Sequence, residues 1–228
     1  MAVRGPRLRI VPAVGRLIVI EGLDGAGKRT LVDGLTARLR ERRRSVAHAA
    51  FPRYTADVHA ELVAEALHGE HGDLGASVHG MAVLYALDRR GAADDLRADL
   101  AAHDVVLLDR YVASNAAYGA ARLHQGADGE FVEWVRQLEV ERFGLPRPDL
   151  QILLDVPVDV AAGRAQHRER TEQHRRRDNF ESDADLQQRC GQVYRQLAAA
   201  HWWSPWTTVD GAGQPNSAAL VEQHLLDT

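Results

Sequence analysis

The stretch GLDGAGKRT, Gly22 to Thr30, contains Lys28, the only lysine among the 28 lysines and arginines of the chain. From Gly22 through Leu23, Asp24, Gly25, Ala26 and Gly27 to Lys28 the residues match G-x-x-x-x-G-K. Glycines at this spacing let the backbone curl until successive N–H groups face inward. With a helix N-terminus behind them, those groups bind phosphate oxygens. A lysine ammonium is a compact charge on a flexible stem, whereas guanidinium is a broad planar fork, so a narrow amide ring admits the first and crowds the second. The pattern normally continues with Ser or Thr to ligate Mg²⁺. Here Arg29 stands in that place and Thr30 follows one residue later. Either carboxylates hold the metal or the loop register shifts; the presence of Asp24 and Asp109 favours the first.

Other residues carry charge chemistry at suggestive places. Asp109 closes the apolar run DVVLLD, and Arg110 follows it with a fork suited to bidentate phosphate binding. Arg53 follows a second apolar run, so two guanidiniums at neighbouring strand ends point to an anion besides the first. Tyr85 and Arg89 lie one helical turn apart on one face. AGRAQHRERTEQHRRRDNFE, Ala162 to Glu181, is the densest charged run, with Arg164 and Arg168 spaced to share a helix face and Arg175 beyond a bend. It reads as a solvated helix face or as a mobile lid. Interleaved acids and the lack of an aromatic ladder disfavour a nucleic-acid patch.

These residues need a frame. RLIVIEG (Arg16–Gly22), SVAHAAF (Ser45–Phe51), DVVLLD (Asp104–Asp109), LQILLDV (Leu150–Val156) and WTTVD (Trp206–Asp210) read as strands. Helical spacing covers 29–40, 56–68, one long stretch 77–102, 128–143, a run from Pro157, 183–200 and a short C-terminal piece. No element is read between Asp109 and residue 128. Uniformly apolar strands alternating with helices predict an α/β fold with a parallel sheet buried on both faces.

Composition narrows the function. The 228 residues suit one domain, and 45% apolar content supports a full core. A formal charge of −4 argues against general binding to nucleic acid or acidic membranes, and no apolar run is long enough to span a bilayer. Cys190 is alone, so no intrachain disulfide forms, and it reads as a small buried apolar group. His68 and His71 lack the cysteine or carboxylate pattern of a zinc site. Trp202, Trp203 and Trp206 read as packing. Residues 1–15 read as a flexible N-terminal extension or as the product of a mis-assigned start.

EGLDGAGK, FPRY (Phe51–Tyr54), DRYVASNAAY (Asp109–Tyr118) and RDNFE (Arg177–Glu181), in this order and spacing, resemble bacterial thymidylate kinase from about Arg16 to Leu197. The resemblance implies a P-loop three-layer sandwich with five parallel strands, one kinase domain over 16–228, a lid at about 163–180, and a cytoplasmic homodimer. It implies transfer of the γ-phosphoryl of ATP to dTMP with Mg²⁺, toward dTTP. Lys28, Asp24, Arg110 and Arg168 would be catalytic. The loop Gly22–Thr30 with Arg164, Arg168 and Arg175 would hold ATP. Arg53 and Arg110 would hold the acceptor phosphate and Tyr85 would stack on the base. Arg89, Ser114 and Asn115 would read its edge, and Tyr118 would crowd the 2′ position. Phe51, Tyr54, Asn179 and Glu181 would complete the acceptor site. The metal set would be Asp24, Asp109 and Glu181. No basic residue occupies the variable loop positions, so the chain resembles the class whose lid supplies the arginine. Gly119 replaces a common glutamine and Phe180 a common tyrosine. The rivals are another nucleotide or deoxynucleoside kinase on the same fold and a non-catalytic nucleotide-binding regulator. A GTP switch is disfavoured, because a lone loop lysine leaves no Asn-Lys-x-Asp motif.

Overall fold

The computed structural model describes residues 15–171, 183–212 and 218–219. Five strands form one all-parallel sheet: β1 Arg16–Glu21, β2 Val46–Ala50, β3 Val105–Asp109, β4 Leu150–Asp155 and β5 Trp206–Asp210. Their order is β2-β3-β1-β4-β5, with β1 at the centre. Ile18, Val19, Ile20, Leu107, Leu108, Ile152 and Leu153 are buried along the three central strands. That is why the apolar runs are continuous rather than alternating. Pairing of Ile20 with Asp109 and Glu21 with Leu153 sets the carboxyl ends of β3, β1 and β4 side by side. Ligands of open α/β sheets bind at such an edge.

The helices are α1 Lys28–Glu41, α2 Val58–Leu67, α3 Val78–Gly91, α4 Ala93–Ala102, α5 Val112–Arg122, α6 Glu130–Val135, α7 Val158–Thr171 and α8 Ala184–Ala199. Asp57, Ser77 and Asp183 cap α2, α3 and α8 through side-chain oxygens. Three expectations change. The single stretch 77–102 is two helices that meet at Ala92. Its N–H donates to both Asp88 O and Arg89 O, tightening the turn. Residues 128–143 form α6 and then a π-helical segment, Arg136–Arg142. The third is α5, left unmarked in the sequence: its polar residues Ser114, Asn115, Tyr118 and Arg122 recur at helical spacing and face the cleft, while Ala113, Ala116, Ala117 and Ala120 are buried in the core.

Gly15 donates to Leu100 O at 2.7 Å, so the described chain is already docked one residue before β1. Trp203 stacks on Tyr111 with ring centroids 5.9 Å apart, and Trp206 is buried beside β4. Cys190 is buried, and burial pushes its thiol well above the ordinary range.

Leu107 is fully buried on β3 between β1 and β2. Leu107→Ala should destabilise the protein by about 2–5 kcal/mol in urea unfolding, as truncation in a packed core does. A loss under about 1 kcal/mol would contradict the tight core described here.

Candidate active site

β1 delivers its chain directly into the glycine loop. Gly22, Gly25 and Gly27 have φ of 146°, 85° and 99°, a region that L side chains rarely adopt. A Cβ at Gly25 would stand 2.0 Å from Ala161 O, so α7 closes tightly over the loop. Lys28 opens α1 and is buried. Its Nζ donates to Leu23 O at 2.9 Å and Gly22 O at 3.2 Å, folding back across the loop it serves. Burial pushes the ammonium down to about 8, and the neighbouring Arg110 adds to that effect. Arg29 and Thr30 are exposed, and both line the cleft.

Arg110, at the tip of β3, is the centre of the site. Nη2 donates to Asp24 Oδ1 at 2.6 Å; Nη1 donates to Ser114 Oγ at 3.0 Å and to the Tyr194 hydroxyl at 3.2 Å. The Tyr118 hydroxyl donates to Asp24 Oδ2 at 2.8 Å. Burial alone would raise the Asp24 carboxyl. Arg110, Lys28 and Tyr118 overcome it and hold the group well below the usual carboxylate range. Behind Arg110 lies Glu21, fully buried. It accepts from Tyr111 N at 2.9 Å, Ser114 Oγ at 2.6 Å and the Tyr194 hydroxyl at 3.1 Å. Burial pushes the Glu21 carboxyl up despite these donors.

Asp109 is half-buried and lines the cleft. Phe51, Tyr54, Tyr85, Arg89, Asn115 and Tyr118 also line it, and its volume is about 1340 Å³. That exceeds a typical single-ligand pocket of about 300–1,000 Å³. Arg89 is buried and gives Nε and Nη2 to Glu139 at 2.6 and 2.8 Å. Asn115 Nδ2 donates to Glu139 Oε1 at 2.7 Å and to Ala82 O at 3.0 Å.

Arg53 behaves differently from the other expected residues. Its Nε donates to Asp88 Oδ1 at 2.7 Å and its Nη2 to Asp57 Oδ2 at 2.8 Å. It is not among the residues that line the cleft. Two carboxylates turn it toward the α2–α3 side, so its first role in this structure is to tie the loop after β2 to α3.

On the loop's other flank, Arg164 donates to Gly211 O at 3.0 Å and approaches Ala26 O at 3.4 Å. It lines the cleft. α7 continues through residue 168, so Arg164 and Arg168 share one helix face. The Arg168 side chain, and Arg175, Asn179, Phe180 and Glu181, lie outside the described residues.

The thymidylate kinase family model matches residues 20–215 of the chain. The chain belongs to the thymidylate kinase family. A thymidylate kinase of Mycobacterium tuberculosis is 53% identical over 205 residues, covering 90% of this chain and 96% of its own. Thymidylate kinases of Akkermansia muciniphila and Rhodopseudomonas palustris are 35% and 32% identical, covering 92% and 81% of this chain and 91% and 77% of their own. As in the family, the fold is an α/β P-loop sandwich.

Within this thymidylate kinase scaffold, Gly119 has a local reason. A Cβ there would stand 2.0 Å from the Phe131 ring, so α6 fills the space a side chain would need. Glu21, Tyr194 and Glu139 went unread in the sequence. Glu21 carried one faint signal, a charge ending an apolar strand. Tyr194 and Glu139 reach the site across 80 and 24 residues of chain, where spacing says nothing.

A triphosphate entering the loop brings negative charge to an ammonium whose folded pKa of about 8 lies below its ordinary 10.5. Its pKa should rise, so ATP binding near pH 8.5 should take up a proton. Without ligand, stability should rise with pH between those two values, where the unfolded chain binds more protons. Calorimetry in buffers of different ionisation enthalpy measures the uptake, and Lys28→Met should remove it. Equal heats in both buffers with the unaltered protein would contradict the assignment.

Proposed function

We propose that this chain is a thymidylate kinase that transfers the γ-phosphoryl of ATP to dTMP, giving dTDP and ADP in the supply of dTTP. One observation carries the reading: a single cleft is lined by the glycine loop and Lys28, by Arg110 and Tyr118, which both reach Asp24 of that loop, and by Tyr85, Arg89 and Asn115. Phosphoryl transfer requires two aligned phosphates and positive charge where the moving oxygens gather it, with little covalent help. The acceptor phosphate is already ionised near pH 7, so no strong general base is needed.

Lys28 and the loop amides would grip the donor phosphates. Arg110 would align the acceptor phosphate, reaching past Asp24, while Ser114 and Tyr194 hold its other nitrogen. Tyr118 would sit against the sugar and Tyr85 against the base. Arg53 would join the acceptor phosphate only by leaving Asp57 or Asp88. Arg164 and Arg168, on one face of α7, with Arg175 beyond it, would neutralise the transferring group. Asn179 and Glu181 would close the acceptor side.

The residues fit magnesium. Hard carboxylate oxygens suit it, and it favours sites with one or two carboxylates plus phosphates. The Asp109 carboxylate accepts no hydrogen bond from the described residues, whereas both Asp24 oxygens are engaged by Arg110 and Tyr118. Asp109 would therefore be the readier ligand, with Asp24 and Glu181 beside it. Bound there, the ion would screen the phosphates' charge. We further propose a cytoplasmic homodimer. No helix among the described residues is long and apolar enough to cross a membrane.

A coupled ADP-release assay across nucleoside monophosphates and thymidine tests the reading. dTMP should be the best acceptor, and turnover should require Mg²⁺. Lys28→Ala should lower kcat on the order of a hundredfold or more while leaving dTMP affinity within a few-fold. Preference for CMP or thymidine would remove the acceptor assignment, and no turnover of any acceptor would favour a regulator.

A further inference from the structure

Beyond the phosphate chemistry lies a carboxylate to which that reading gives no task. Glu139 is fully buried in the π-helical segment after α6. The widened turn of such segments often marks functional positions. Oε2 accepts from Arg89 Nε at 2.6 Å, and Oε1 accepts from Arg89 Nη2 at 2.8 Å and from Asn115 Nδ2 at 2.7 Å. Asn115 Nδ2 also donates to Ala82 O at 3.0 Å. Both amide hydrogens therefore face groups that only accept, a carboxylate and a main-chain carbonyl. Turning the amide over would set Oδ1 against both, with a buried polar clash on each side. The amide sense is thus fixed by its surroundings. Asn115 keeps Oδ1, an acceptor, for the cleft. Arg89 Nη1, a donor, likewise takes no part in these bonds. Both residues line the cleft.

We propose that Glu139 is a positioning residue that sets base specificity. It fixes an acceptor at Asn115 beside a charge-neutralised donor at Arg89, and this pair matches a pyrimidine edge carrying N3–H next to a 4-oxo group. The inference rests on the dTMP kinase reading and deepens it. Thymine and uracil offer that edge. Cytosine offers the reverse, a bare N3 beside a 4-amino group, so lone pair meets lone pair and donor meets donor. A buried site built for one polar pattern rejects its reverse far more strongly than an apolar pocket rejects an extra methyl. Glu139 also cancels the Arg89 charge, so this end of the cleft recruits a neutral base rather than a second phosphate.

Glu139→Gln tests this with little change of volume. A glutamine cannot accept all three bonds, because whichever way it turns its amide N–H meets an N–H of Arg89. The ratio of kcat/KM for dTMP over dCMP should fall roughly tenfold or more, since an unmatched buried donor of this kind frees Arg89 from its pose. The fall should come mainly through KM for the acceptor, with KM for ATP unchanged. Equal losses on both acceptors, or an unchanged ratio, would overturn the proposal by reducing Glu139 to a structural part. If the variant does not fold, a crystal structure of the unaltered enzyme with dTMP decides. Asn115 Oδ1 at N3 with Nδ2 still on Glu139 supports the proposal, and a Glu139 carboxylate detached from Asn115 and Arg89 overturns it. Failure of the unaltered enzyme to phosphorylate dTMP would instead remove the underlying kinase reading, so the two failures are told apart.

Discussion

A carboxylate inside the glycine loop, Asp24, should repel any phosphate the loop receives. The contact that removes this conflict is Arg110 on Asp24, at 2.6 Å. It pairs the loop after β1 with the tip of β3 and cancels a charge that would otherwise face incoming phosphates. The sheet makes the contact possible. Ile20 pairs with Asp109, and Arg110 N donates to Ile20 O at 2.9 Å, so both partners hang from adjacent strand ends. Arg110 has φ of 68°, a left-handed value costly for a residue with a long side chain. The bonds on both its backbone and its guanidinium hold it there, as strained residues at functional sites require.

Behind that contact lies a buried hydrogen-bond network centred on Glu21. Glu21 gathers Tyr111 N, Ser114 and Tyr194, and the last two also meet Arg110. Tyr194 comes from α8 and Ser114 from α5, so three distant parts of the chain define one guanidinium position. A fully satisfied buried network of this kind specifies one arrangement, because each partial arrangement leaves a polar group without a partner. The same logic explains how α7 and the loop interlock. Gly25 has no room for a Cβ against Ala161 O, and Arg164 donates across the gap to Gly211 O and Ala26 O.

Much of this was legible in the sequence, and the reasons differ by residue. The strands announced themselves because burial on both faces makes them continuously apolar, and the five expected runs are the five strands. Lys28, Asp24 and Asp109 were legible because they adjoin strand ends within one short motif each. α5 was overlooked because its polar stripe, Ser114, Asn115, Tyr118 and Arg122, faces the cleft rather than solvent and reads in sequence as a motif instead of a helix face. The break at Ala92 is marked only by Gly91, the last residue of α3, and the π turn at Arg136 carries no proline or cap at all. Arg53 followed a strand in the expected way. Its direction was set by Asp57 and Asp88, and only the second of these lies far away in sequence. The carboxylates that organise the site were the least legible part, since Glu21–Tyr194 spans 173 residues.

The arginines of the site then sort themselves by what neutralises them, which a sequence cannot display. Arg53 faces two carboxylates and is tied down as a structural link. Arg89 faces Glu139 bidentately and retains hydrogen-bonding capacity with no net charge to offer, which suits an uncharged base. Arg110 makes a single bond to one oxygen of Asp24 and otherwise meets neutral hydroxyls, so unlike Arg89 it is not closed by a bidentate carboxylate. Arg164 meets main-chain carbonyls, which satisfy its geometry but leave its charge intact. The four guanidiniums therefore differ in how much charge they keep: least at Arg53 and Arg89, more at Arg110, most at Arg164. On the proposed reading, a monophosphate carrying a neutral base would set that base against the neutralised Arg89 and its phosphate toward Arg110 and the glycine loop.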